Sequence, residues 1–119
     1  APEGWAVPTK AELTKLRTAG GTAAKNFKSS DPGTWAVGNT GTNINGFTAI
    51  ANGYYSTATN LTGMQTEAYY WSSTTFSDWL TRQTGLETLR INGTATNVAV
   101  SNESGHALPF GHSIRCIRK

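Results

Sequence analysis

The spacing of apolar residues changes character along this chain. Near the amino end Leu13 and Leu16 stand three residues apart, with Lys10, Lys15 and Arg17 on other sides, which is the pattern of one helical face. Thr9-Lys10-Ala11-Glu12 precedes them as a capping box. In that arrangement the Thr9 hydroxyl accepts from the Glu12 N–H, and the Glu12 carboxylate accepts from the N–H of Thr9. Gly20-Gly21 supplies the stop, and a weaker pattern from Thr22 to Ser29 predicts a second short helix. From Ser30 onward the punctuation becomes Asp31-Pro32-Gly33, Gly38-Asn39, Asn45-Gly46, Asn52-Gly53 and Asn92-Gly93, dipeptides that close tight turns.

Between those turns, Phe47-Thr48-Ala49-Ile50 and Tyr69 to Ser73 read as strands from their aromatic and β-branched content. Leu86 to Asn92 alternates, which turns Leu89 and Ile91 inward and Thr88, Arg90 and Asn92 outward. Val98 and Val100 continue the inward face beyond Asn92-Gly93, predicting a hairpin. Ser113 to Arg118 is expected to close the sheet, with Ile114 and Cys116 on one face and Ser113, Arg115 and Ile117 on the other. Residues 101 to 112 read as an exposed loop. These elements give an α+β fold, with short N-terminal helices, a small mostly antiparallel sheet and long loops. No internal repeat or long linker divides residues 1–119, so one domain is expected, with Trp5, Leu13, Leu16, Phe47, Trp71, Leu89, Ile91, Ile114 and Cys116 in its core.

Composition narrows the function classes. The net charge of +3 arises from scarce acids, and the only dense basic patch is Arg115, Arg118 and Lys119, so no basic stripe tracks a phosphate backbone and nucleic acid is not an expected partner. No apolar run approaches the ~20 residues of a membrane-spanning helix, so this segment is not expected to insert into a bilayer. The start, APEGW, has no signal-peptide pattern, which suits a mature form or a piece of a longer protein or assembly. Cys116 is the only cysteine, so an internal disulfide is excluded and the thiol reads as a small core residue.

Chemical signatures are sparse. The acids are Asp31, Asp78 and five glutamates spread over apparent surface elements, a thin supply for paired-carboxylate catalysis. The chain has no nucleophile elbow, no phosphate-cradling glycine loop and no His-Glu-x-x-His. His106 and His112 lack the further ligands of a structural zinc site, and residues 39 to 45 offer amides but no acid for calcium. No enzyme, cofactor or metal is therefore expected. Of the four tryptophans, Trp5 and Trp71 read as packed, Trp35 is open to either reading, and Trp79 lies in a polar run where exposure is more plausible.

Four phrases carry a family resemblance. They are Gly4, Trp5, Pro8, Thr9 and Glu12; then Gly46, Phe47, Ala49, Gly53 and Tyr54; then Tyr70 to Thr74, reading Tyr-Trp-Ser-Ser-Thr; and finally Arg115 and Cys116. In order and spacing the chain resembles the Fibrobacter-type major paralogous (FISUMP) domain over nearly its whole length. The resemblance implies a C-type-lectin-like fold, akin to the variable proteins of diversity-generating retroelements. It also implies that the carboxyl-terminal half forms an exposed ligand-binding face. The formylglycine-generating enzyme uses the same scaffold, but its cysteine pair has no counterpart in a chain with one cysteine.

On that implied face the expected contacts are Phe76, Ser77, Asp78, Trp79, Thr81, Arg82, Arg90, Asn92, His106, Phe110 and His112, serving a protein or glycan receptor on another cell surface. A retroelement that mutates adenines in Asn codons cannot install Lys, Glu, Gln, Met or Trp. Between 74 and 113 those types occur only at Trp79, Gln83, Glu87 and Glu103. Display on a cell or virion surface is the expected setting. A non-variable structural or adhesion domain of a surface assembly is the alternative.

Overall fold

Helix α1, Lys10–Ala19, begins where the capping box places it. Thr9 Oγ1 accepts from the Glu12 N–H at 3.2 Å, and the Thr9 N–H donates to Glu12 Oε2 at 2.8 Å. In this computed structural model, residues 1–57, 59–77, 80, 84–101 and 111–119 are described. The second predicted helix shrinks to a 3-10 turn, Ala24–Asn26, held by the Asn26 N–H on the Ala23 carbonyl.

Five strands form one mixed sheet: β2 (Asn52–Tyr55), β3 (Leu61–Met64), β4 (Glu67–Ser77), β5 (Thr84–Asn92) and β6 (Ala99–Ser101). Across the sheet their order is β3-β2-β4-β5-β6. Only β2 and β4 run parallel, through Gly53 opposite Ala68. Along β4 and β5 the partners run from Glu67↔Asn92 to Trp71↔Thr88, and a bulge between Trp71 and Thr75 then shifts the register. The Tyr-Trp-Ser-Ser-Thr phrase builds that bulge. Ser72 Oγ accepts from the Thr74 N–H at 3.1 Å, while Thr74 Oγ1 accepts from the Lys10 N–H at 2.9 Å and the Ser73 N–H reaches the Pro8 carbonyl at 2.8 Å. One short motif thus bends the strand and docks the start of α1. Lys10 adds an ion pair to the buried Glu87 at 3.0 Å.

The core lies between α1, the 24–49 segment and one face of the sheet. Leu13, Phe27, Trp35, Phe47, Tyr70, Leu89, Ile91 and Val98 are all buried there, with Leu16 and Val100 packed against them. Edge-to-face ring pairs link Phe27 to Phe47 at 5.8 Å and Phe47 to Tyr70 at 5.4 Å. Trp35 belongs to this core, its indole N–H donating to the Ala49 carbonyl at 2.9 Å.

Several expectations are corrected. Phe47 to Ile50 is not a strand, because Thr48 takes φ 56° and Asn43 holds it there, accepting from the Thr48 N–H at 2.7 Å. Asn52-Gly53 lies within β2 and closes no turn; Gly53 has φ 68°, and a Cβ there would meet the Thr62 carbonyl at 2.2 Å. The carboxyl end is not a continuous strand either. Ser113 alone bridges Tyr70, after which β7 (Ile117–Arg118) leaves the main sheet and pairs antiparallel with β1 (Trp5–Ala6). Ile114 therefore points outward, 61% exposed, while the Arg115 guanidinium lies over the Phe47 ring at 4.7 Å. Cys116 is half-buried, and Trp5, opposite Arg118 in a two-residue ribbon, is 47% exposed and outside the core.

Candidate functional site

Alternation along β4 and β5 gives the sheet a second face. With Ala68, Tyr70, Leu89 and Ile91 turned to the core, Glu67, Tyr69 and Trp71 stand opposite Asn92, Arg90 and Thr88 on the other side. Glu67 Oε1 accepts from Arg90 Nη2 at 2.6 Å and from Asn92 Nδ2 at 3.2 Å. The Arg90 guanidinium also lies 5.4 Å from the centre of the Tyr69 ring. His112 stacks on Tyr69 at 4.8 Å and leans on Trp71 at 4.1 Å, and Tyr54, from β2, meets Tyr69 edge-on at 4.9 Å. His112 is brought there by backbone bonds on both sides of it. Gly111 and Tyr55 exchange N–H···O bonds at 2.8 Å, and the Ser113 N–H donates to the Tyr69 carbonyl at 3.0 Å.

The outcome is a polar group seated on an aromatic platform. Tyr69 and Trp71 are buried, as is Thr88, so this face is covered rather than open to solvent as expected. What reaches solvent is its upper layer, with 32% of the Arg90 side chain exposed. Beside it, a small cavity of about 230 Å³ is lined by Arg90, Asn92, Thr94, Ala95, Asn97 and Ala99. Asn92 shapes its wall, its Oδ1 accepting from the Thr94 N–H at 2.8 Å and from the Thr94 hydroxyl at 2.9 Å. Among the described residues, no three of His, Cys, Asp and Glu converge as metal ligands. No helix among them is long and apolar enough to cross a membrane.

Residues 1–118 match the family model of the Fibrobacter succinogenes major domain. The chain belongs to that family. No curated protein and no solved structure matches it. Several residues of the four phrases have physical roles in the fold. Thr9 and Glu12 cap α1, Gly53 permits the close approach of β2 to β3, and Ser72 and Thr74 form the bulge.

Of the expected contacts, Arg90, Asn92 and His112 come together on the second face. Phe76 and Ser77 do not join them. They lie past the bulge, about 20 Å further along β4 at 3.3 Å per residue, where they line a separate apolar cavity of about 420 Å³ with Thr75, Thr84, Gly85 and Leu86. Asp78, Trp79, Thr81, Arg82, His106 and Phe110 lie outside the described residues. Glu67, Tyr69 and Tyr54 were not among the expected contacts. The signal for them was present in the period of two: once Tyr70 faces the core, Glu67 and Tyr69 must share a face with Arg90 and Asn92.

Proposed function

We propose that this domain is a ligand-binding module whose recognition surface is the second face of the sheet, with Arg90, Asn92 and Asn97 as polar contacts around the small cavity. One observation carries the reading: the Arg90 guanidinium is held at once by Glu67 and by the Tyr69 ring, yet remains partly exposed at a cavity mouth. A planar donor fixed in place before binding loses little entropy on contact, and arginine and aromatic side chains concentrate interface energy. The partner is a protein or glycan receptor, and the domain acts outside the cell or on a virion, on a C-type-lectin-like scaffold. Phe76 and Ser77 line the separate cavity towards the end of the β4–β5 ribbon and are not part of this surface.

The same reading makes the chain the variable protein of a diversity-generating retroelement. Glu87, one of the few residue types between 74 and 113 that adenine mutagenesis of Asn codons cannot install, is buried and paired with Lys10, a scaffold position rather than a contact. A neighbouring gene for a reverse transcriptase, beside a near-copy of the 3′ coding segment, is the expected genomic finding. Its absence would return the chain to a non-variable adhesion or structural role. That second reading has its own support in apolar side chains exposed away from the proposed face, Val37 and Ile44 foremost. Probing arrays of immobilised glycans and of receptor ectodomains with the purified domain separates binding from structure: selective capture supports recognition, and none on either array contradicts it.

A further inference from the structure

Lys28 is a charged residue where charge is costly. It is 5% exposed, just beyond the Phe27 cap of the 3-10 turn, and among the described residues no carboxylate pairs with it. Its Nζ donates to the Gly93 carbonyl at 2.7 Å and to the Asn39 carbonyl at 3.1 Å, with the Trp35 ring centre 5.0 Å away. Two carbonyls and an aromatic face thus form a cage of neutral groups around one ammonium. Burying a cation without a counter-ion is costly unless charge-assisted hydrogen bonds offset it, so both carbonyls are held firmly. They belong to segments more than fifty residues apart: Asn39 lies in the loop after Trp35, and Gly93 begins the turn between β5 and β6. Space at Gly93 is tight, since a Cβ there would come within 3.1 Å of the Thr66 carbonyl and 3.4 Å of Asn39 Nδ2.

We propose that Lys28 is an internal latch that fixes the start of the 92–98 turn between β5 and β6, and with it the shape of the cavity beside Arg90, from the opposite side of the sheet. The turn has two halves with different anchors. Its later half is tied by backbone bonds, from the Ala24 N–H to the Thr96 carbonyl and from the Val98 N–H to the Thr22 carbonyl, both 2.9 Å. Its earlier half has the Gly93 N–H on Thr66 at 2.7 Å and the Lys28 ammonium on the Gly93 carbonyl. Lys28 is thus a positioning residue for Asn92 and Thr94. Its bearing on recognition rests on the function proposed above, but the latch itself can be tested without a ligand, so the two can fail separately.

The test compares the intact domain with Lys28→Met, which keeps an unbranched chain as far as Cε and removes the ammonium donor. Amide hydrogen exchange at Gly93 and Thr94 should accelerate by about tenfold or more while Val98, anchored to Thr22, changes little, because only the earlier half is released. Unchanged exchange at Gly93 and Thr94, or equal acceleration through β4 and β5, would overturn the latch. If Lys28→Met fails to fold, a titration of the wild-type domain decides. Burial lowers the Lys28 pKa below its ordinary value and is the only cause of the shift, so the ionisable residues on adjoining segments, Lys25, Asp31 and Glu67, do not drive it. The carbonyl carbon shifts of Gly93 and Asn39 should move with the Lys28 midpoint. Carbonyl shifts that stay flat through that midpoint would refute the contact.

Discussion

The two faces of the β4–β5 pair differ in what their burial achieves. On the core face Ala68, Tyr70, Leu89 and Ile91 belong to one buried apolar cluster with residues of α1 and the 24–49 segment. On the other face Tyr69, Trp71 and Thr88 are almost as inaccessible, yet they carry a polar layer of Glu67, Arg90 and Asn92. Burial alone therefore does not distinguish scaffold from site. The distinction lies in whether a face ends in apolar atoms or in oriented donors, and stability should be concentrated in the first face and recognition in the second.

The largest effect is expected on the core face. Leu89 is fully buried in the core cluster, so Leu89→Ala should cost about 2–5 kcal/mol, read as a large fall in melting temperature. A fall no larger than that of an exposed substitution would dissolve the contrast. Gly53→Ala ranks next, at about 1–3 kcal/mol, because a positive φ and a carbonyl 2.2 Å from the new Cβ both oppose it. Denaturant unfolding measures this cost, and a neutral result would show that β2 does not need its close approach to β3. Arg90→Ala should cost only about 1 kcal/mol of stability, since its ion pair is partly solvated.

How far the sequence discloses this arrangement depends on how local the cause is. The capping box, the β4 and β5 strands and the inward set Leu89, Ile91 and Val98 were legible, because each follows from spacing within a few residues. The Phe47 segment was not, because Asn43 overrides its strand propensity through a side-chain bond from five residues away. The carboxyl end misled for a different reason. Alternation predicted which residues share a face but not that the chain leaves the sheet after Ser113, so Arg115 covers Phe47 and Ile114 is exposed. Of the candidate site, Arg90, Asn92 and His112 could be named from the sequence and the fold groups them, whereas Lys28 carries no sequence signal, its contacts arising from carbonyls brought together only by the fold.

Smaller effects appear as pH dependence, and they sharpen the same contrast. Burial raises the pKa of Tyr70, on the core face, above 10, so the neutral phenol contributes stability that is complete below pH 10 and lost as pH rises through the folded-state value. Tyr70→Phe should remove that alkaline loss, and thermal melts between pH 9 and 11 as rough limits check it. Lys28 works in the opposite sense. Its pKa is lowered, so the unfolded chain holds its proton longer and folding gains stability as pH rises towards 10.5. At the acid end, hydrogen bonds from Lys119 and then Thr9 lower the pKa of the partly exposed Glu12, giving stability present above pH 4.5 and lost as pH falls through the folded-state value. Glu12→Gln should flatten that last dependence slightly.

The most direct test pairs two readings on one variant, Arg90→Ala with Asn97→Ala, once the arrays have supplied a ligand. Both side chains border the cavity, and neither belongs to the core cluster. Loss of one hot spot of about 2 kcal/mol should weaken affinity roughly thirtyfold, while the melting temperature falls by only a few degrees, about 4–8 °C per kcal/mol for a domain of this size. Undiminished affinity in a folded variant, or collapse of the fold with loss of binding, would contradict the assignment of stability to one face and recognition to the other.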